Sequence, residues 1–425
     1  MYFSRVLTAV WGLLYCGLYC AFAVADDEEH ARGNQRWTQI FLTGPITHQL
    51  PDGTTRVLRP MCAGGPVPTA EGPVVAPTQY SFFIKRGNPE RLVVALDGGG
   101  ACWDADTCVG SPLSAEGSSY SEVVDETPQT LAQGEGLLDD RNPANPYKSY
   151  TKVFIPYCTG DVHWGSKDTT YVLPLPNGDT LPWLIHHHGS DNLLAVLHWL
   201  QSHTHRDSRI DLRKLKDLSV VGTSAGGYGT LLAFPYFAQE ARRARLDLIA
   251  DAAIGVLTNT FYRTALFNPS SPGSESWGFG DNLPSWVPGY NTLLASGVVN
   301  ANAIMPAAFA ALAGYKPAAH LASLTNNFDS VQIGFYSAMK GVFPPGQTEA
   351  FEWYRGMKDA TLSAATLPNY RYFIDKGSAH TLTTSNTQTY GVGVNGISLA
   401  AWLQAMIKPG AGPWDSLDNA GPPSL

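Results

Sequence analysis

Two short stretches of this 425-residue chain carry residue types and spacings that could do chemistry together: Gly222-Thr223-Ser224-Ala225-Gly226 and Gly98-Gly99-Gly100. A Gly-x-Ser-x-Gly placed between a strand and a helix makes a sharp turn whose small neighbours tolerate the bend, so that the serine hydroxyl projects at the top of a sheet. The β-branched run 217–221 and the apolar run 225–243 supply that strand and that helix, which makes Ser224 a candidate nucleophile for acyl transfer. The glycine run follows another β-branched run, 91–96. Acyl transfer develops negative charge on a carbonyl oxygen, and backbone N–H groups aimed at that oxygen stabilise it. Gly99 or Gly100, together with Ala225 after the serine, are the expected donors of such an oxyanion hole. A phosphate cradle would want Lys-Ser or Lys-Thr after the glycines, and neither follows.

A serine nucleophile needs a base. In hydrolases built this way the order along the chain is Ser, then acid, then His. Only His320 and His380 follow Ser224. His320 sits in an Ala-rich stretch that reads as helix, whereas His380 lies just past the strand-like run 370–374, which makes it the expected base. The acid should fall between Ser224 and His380, where Asp247, Asp251, Asp281, Asp329, Asp359 and Asp375 are available, as well as several Glu. Asp375 ends the same strand five residues before His380 and is poorly placed to orient that ring. Spacing does not separate the others.

These residues need a scaffold. Runs 79–85, 91–96, 151–157, 217–221 and 370–374 read as strands, and 191–200, 225–243 and 398–407 read as helices. Strands alternating with helices predict an α/β fold with a mostly parallel sheet flanked by helices. The stretches 111–146 and 268–288 are rich in Pro, Ser and Gly and are expected as long loops inserted over the sheet, and the tail 409–425 as irregular. No internal repeat is evident, so residues 26–425 are expected to form one domain.

At the N-terminus, Arg5 precedes an apolar run to Ala23, and Ala23-Val24-Ala25 precedes an acidic stretch: the three-part pattern of a cleaved export signal over residues 1–25. The expected location is secreted or periplasmic, with no stable membrane association after cleavage. Cleavage leaves Cys62, Cys102, Cys108 and Cys158. Four cysteines in an exported chain read as two disulfides with three possible connectivities. A bridge from Cys102 to Cys108 would close a short loop and leave Cys62 for Cys158. The formal net charge of −8 gives no support to nucleic-acid binding, which wants a basic stripe, and it slightly disfavours a strongly anionic polymer as substrate unless the cleft is locally basic.

His186-His187-His188 invites a metal reading, but three consecutive His point in different directions, and a solvated or packed cluster is expected instead. His203 and His205 would suit the C-terminal end of the preceding helix. Asp161 and His163 follow a strand end, where lining a pocket and bonding within a turn are both open. Trp164, Trp277 and Trp286 fall in loops, where aromatic rings stack on sugars or plug cores. No metal or cofactor is required by the chemistry expected of Ser224.

Three motifs, Leu96-Asp97-Gly98-Gly99-Gly100-Ala101-Cys102-Trp103, Phe154-Ile155-Pro156-Tyr157-Cys158-Thr159-Gly160-Asp161-Val162-His163 and Gly222-Thr223-Ser224-Ala225-Gly226-Gly227, resemble in sequence and order the pectin acetylesterase family, in a bacterial-type secreted form. The similarity runs from about residue 75 to 385. That family also contains the animal deacylase Notum, which departs from this chain by carrying Trp at the place of Gly100. The resemblance implies an α/β-hydrolase fold and an acid in an Asp-x-x-Gln segment before the His, which here is Asp329-Ser330-Val331-Gln332. The catalytic set it implies is Ser224, Asp329 and His380. The expected substrate is an ester, with O-acetyl groups on a carbohydrate such as pectin first, a fatty-acyl ester second, and an inactive secreted binding protein as the competing class.

Overall fold

A computed structural model describes residues 36–67, 74–110, 119–125, 128–174, 178–202 and 210–419. The expected export signal, His203 and His205 lie outside these residues. The main sheet has nine strands, named here in chain order: β1 (Trp37–Leu42), β2 (Tyr80–Lys85), β3 (Asn88–Leu96), β4 (Tyr150–Ile155), β5 (Asp217–Thr223), β6 (Arg245–Asp251), β7 (His320–Asn326), β8 (Tyr370–Asp375) and β9 (Leu417–Asp418). Their spatial order is β1-β2-β4-β3-β5-β6-β7-β8-β9. β2 runs antiparallel to both β1 and β4, and the remaining pairings are parallel. The helices named here include α1 (Gly189–Ser202), α2 (Ala225–Glu240), α3 (Ile304–Tyr315), α4 (Ser330–Met339), α5 (Gln347–Ala364) and α6 (Leu399–Ile407). This is the α/β-hydrolase architecture.

Central parallel strands are covered on both faces and therefore read as unbroken apolar runs. Adjacent residues of β5 point to opposite sides: Val220 belongs to the core that holds Leu194, Leu197 and Phe234, and Val221 to the core that holds Ile249, Trp402 and Leu403. Two cores thus sandwich the sheet.

The parallel register decides where function collects. Thr223 pairs with Asp251, Asp251 with Leu324, and Asn326 with Asp375, so the segments following β5, β6, β7 and β8 all leave the same sheet edge. Ligand sites of open α/β sheets form outside that carboxyl edge. Disulfides Cys62–Cys158 and Cys102–Cys108 fasten loops on the same side.

Two expectations are corrected. His320 does not sit in a helix: the Ala-rich α3 ends at Tyr315, and His320 opens β7. Nor is the tail wholly irregular, since Leu417–Asp418 extends the sheet beside β8. Elsewhere, 129–133 within the first insertion and 279–282 within the second are short helical turns rather than open loop.

Candidate active site

Ser224 sits at the junction of β5 and α2 with φ 54° and ψ −123°, a conformation that costs a non-glycine residue free energy and persists only where the surroundings fix it. Its amide donates to the Asp251 carbonyl at 2.8 Å. The flanking glycines are sterically required: a Cβ on Gly222 would collide with the Gly226 carbonyl, and one on Gly226 with the carbonyls of Leu96 and Asp97. A Cβ on Gly98 would come within 2.9 Å of the Ser224 Cβ, so the glycine run lies directly against the serine.

The start of α2 has no side-chain cap. Its first amides therefore present the positive end of a 16-residue helix to the space around Ser224. Gly100 and Ala225 line the cavity there. Gly99 faces elsewhere: a Cβ on it would meet the Tyr157 ring at 2.7 Å and Ser121 Oγ at 2.9 Å. Gly100 holds φ 80° because the chain must double back past Ser119, whose carbonyl accepts from the Ala101 amide.

His380 Nδ1 lies 2.9 Å from both carboxylate oxygens of Asp329, a residue fully buried at the N-cap of α4. The Asp329 carboxylate also accepts from the amides of Val331 and Gln332 and from Gln332 Nε2. Gln332 is itself pinned, donating to Thr325 Oγ1 and accepting from the Ile254 amide. That explains the Asp-x-x-Gln spacing: the first turn of a helix brings the amide side chain back to the carboxylate. With Nδ1 engaged, His380 Nε2 is buried without a hydrogen-bond partner, in the cavity that Ser224 also lines.

A second carboxylate was visible only as one of several acid candidates. Asp251, fully buried at the end of β6, accepts from the amides of Leu382 and Thr383 and from Thr383 Oγ1, thereby anchoring the loop just beyond His380. Burial raises its pKa to about 6, against the hydrogen bonds that lower it. Asp251 acts on the backbone of that loop, and Asp329 on the imidazole.

Asp161 and His163 both fall within the turn rather than on the cavity wall. Asp161 accepts from Thr159 Oγ1 and from the amides of His163, Gly165 and Gly189. His163, at φ 64°, packs its ring on Tyr157 and places Nε2 3.0 Å from the Asp97 carbonyl. Burial lowers the His163 pKa to about 4, so the ring is neutral in the fold while its unfolded counterpart takes up a proton below about 6.5. A depressed His pKa removes stability as pH falls from the unfolded value toward the folded one. In a His163→Asn variant, the stability deficit relative to the parent should therefore shrink by about 2–3 kcal/mol between pH 7.5 and 4.5. Urea unfolding of both proteins at the two pH values measures this, and an unchanged deficit would show that His163 titrates normally.

About 630 Å³ of non-atom space, open solvent included, lies in the cavity beside Ser224. Its walls are mostly apolar, with Trp164, Phe261, Trp277, Phe335, Met339 and Trp353 prominent, and no Lys or Arg is among the described residues lining it. Trp164 and Trp277 thus leave their loops to wall the cavity. Trp277 Nε1 donates to the Cys102 carbonyl, so the Cys102–Cys108 loop holds this wall in place. Trp286 packs instead between Tyr236 and Tyr315.

Residues 77–260 match the family model described as Pectinacetylesterase. The chain is 30% identical over 144 residues to the palmitoleoyl-protein carboxylesterase NOTUM of Schmidtea mediterranea, covering 34% of this chain and 23% of that protein. It is 28% identical over 162 residues to palmitoleoyl-protein carboxylesterase notum2 of Xenopus laevis, covering 36% of this chain and 28% of the relative. The chain thus spans about a quarter of the length of the curated relatives it matches. The family match contains the glycine run and Ser224 and ends before Asp329 and His380.

Proposed function

We propose that the chain, whose residues 77–260 match the pectinacetylesterase family model, is a serine carboxylesterase in which Ser224 is acylated, His380 is the base and Asp329 orients it. The reading is carried by one observation: an Asp329–His380 pair whose free imidazole nitrogen shares a cavity with a serine held at a strained strand-to-helix turn. His380 Nε2 takes the proton of Ser224 Oγ as the oxygen attacks the ester carbonyl. The resulting oxyanion is held by the main-chain N–H groups of Gly100 and Ala225, the two of the expected donors that line the cavity. Collapse expels the alcohol with the proton from His380. Water then attacks the acyl-enzyme, His380 takes its proton, and the carboxylic acid leaves as Ser224 regains its hydrogen.

The apolar, uncharged lining favours an acyl group longer than acetyl seated between α4 and the Trp277 loop. O-acetyl groups on a carbohydrate remain the second reading, favoured by the family description. On p-nitrophenyl esters, kcat/KM is expected to rise from acetate toward medium or long acyl chains. Val331 is over a third exposed yet lines the cavity, so a larger side chain can enter it without disturbing the core. Val331→Trp should lower kcat/KM for the longer esters by about tenfold more than for acetate. A sharp optimum at acetate, indifferent to Val331→Trp, would return the reading to an acetylesterase. The N-terminal segment and the two disulfides support export of the chain. Among the described residues no helix is long and apolar enough to cross a membrane.

A further inference from the structure

The consecutive histidines divide into two sets. Thr180–His187 pairs antiparallel with Lys167–Pro174, and His186 stands directly opposite Asp168. Alternate residues of an extended chain share a side. His187 accordingly turns the other way, fully buried, with Nδ1 at 2.8 Å from the Thr159 carbonyl and Nε2 at 2.8 Å from the Tyr171 hydroxyl. His186 and His188 converge on one carboxylate oxygen: Asp168 Oδ1 lies 2.6 Å from His186 Nδ1 and 3.0 Å from His188 Nε2. The reading of the three as a single run pointing in different directions missed this pairing, because only the middle residue diverges.

We propose that Asp168, His186 and His188 form a binding site for a divalent transition-metal ion, zinc foremost. One ligand atom from each of the three lies within 4.8 Å of the other two. Tetrahedral zinc with bonds near 2.0–2.1 Å places its ligand atoms about 3.3 Å apart, so Asp168 must rotate away from the two nitrogens and the His186 ring, 22% exposed, must adjust with it. Asp168 can make that rotation, being 54% exposed. Two imidazoles, one carboxylate and solvent at the exposed corner make up a zinc donor set.

A second observation points the same way. His188 Nδ1 lies 2.8 Å from Asp191 Oδ2, and Asp191 is itself held by Arg56 and by the Arg59 amide. A carboxylate on the far nitrogen of a histidine fixes its tautomer and aims the other nitrogen at the metal, the arrangement that metal-ligating histidines nearly always show. The His188 side chain is 4% exposed, so its Nε2 reaches the cluster from a fixed position.

The site also has leverage on the cleft. The Ser166 amide donates to the Trp277 carbonyl, Lys167 Nζ to the carbonyls of Gly273 and Glu275, and Thr169 Oγ1 to the Ser276 carbonyl. An ion joining Asp168 to His186 and His188 would fasten the base of this hairpin to the start of α1, and through the hairpin steady the Trp277 wall. It would stabilise the fold without taking part in ester hydrolysis.

The test is calorimetric titration of zinc chloride into untagged full chain freed of metal with a chelator. One zinc per chain should bind, raising the melting temperature, and His186→Ala and Asp168→Asn should each weaken binding by about tenfold or more. His48→Ala serves as the control, because His48 Nδ1 and His198 Nδ1 approach to 3.3 Å and form the other close histidine pair described. Its zinc affinity should match the parent's. Zinc-edge X-ray absorption on the parent gives a reading independent of any variant, with two imidazole ligands expected. The proposal is overturned by zinc binding that survives both substitutions, by binding lost only in His48→Ala, or by a spectrum without paired imidazoles.

Discussion

Ser224→Ala is expected to lower kcat on p-nitrophenyl esters by about 10⁵–10⁶-fold, with the fold and melting temperature retained. The effect is large because the substitution removes the atom that would be acylated, leaving water as the only nucleophile. What would remain is the oxyanion donors and substrate binding, which alone give a small residual acceleration. Retention of structure follows from the turn itself. The Ser224 amide bond to Asp251 and the close approaches of Gly222, Gly226 and Gly98 are all main-chain features, and an alanine Cβ fits where the serine Cβ already sits. The residual rate of the variant against the background rate gives the number, and activity within tenfold of the parent would remove Ser224 from the mechanism.

Asp329→Asn is expected to lower kcat by roughly 10⁴-fold while costing little stability. An asparagine oxygen can still accept from the Val331 and Gln332 amides, so the cap of α4 survives. The amide nitrogen, however, would face His380 Nδ1 as a donor. The imidazole would then have to carry its proton on Nε2, the nitrogen that must accept from Ser224. KM should change little, since Asp329 is buried behind His380 and does not line the cavity. A fall in kcat together with an unfolded or strongly destabilised protein would instead assign Asp329 a purely structural role. Asp251 supplies the contrast. It holds the backbone of the His380 loop rather than the ring, so its substitution should damage folding before it alters chemistry.

Ser224 and its surroundings were legible because local residue types suffice. A β-branched run, a glycine on each side and an apolar helix specify a strand, a turn and a helix within two dozen residues, and the observed elements Asp217–Thr223 and Ala225–Glu240 meet at the serine. Strands β6 and β7 were not legible. Asp247 interrupts the apolar pattern of β6, and only the fold shows why it is tolerated: it is buried against Arg245, Ser219 and His320. His320 read as helical because α3 and the turn before β7 share an Ala-rich composition that does not mark where the helix stops. The hold of Asp251 on Leu382 and Thr383 spans 131 and 132 positions, and nothing in local spacing encodes it. Trp277 illustrates the same limit, since its place in the cavity wall depends on the Cys102 carbonyl, 175 positions away.

The acyl-enzyme is the most direct measurement of the central claim. A slowly hydrolysed ester is mixed with the protein, the reaction is quenched in acid within the burst, and peptides are analysed by mass spectrometry. The peptide containing Ser224 should carry the mass of the acyl group, and the Ser224→Ala protein should carry none. Burst hydrolysis with the acyl group absent from Ser224, or attached to another residue, would contradict the account.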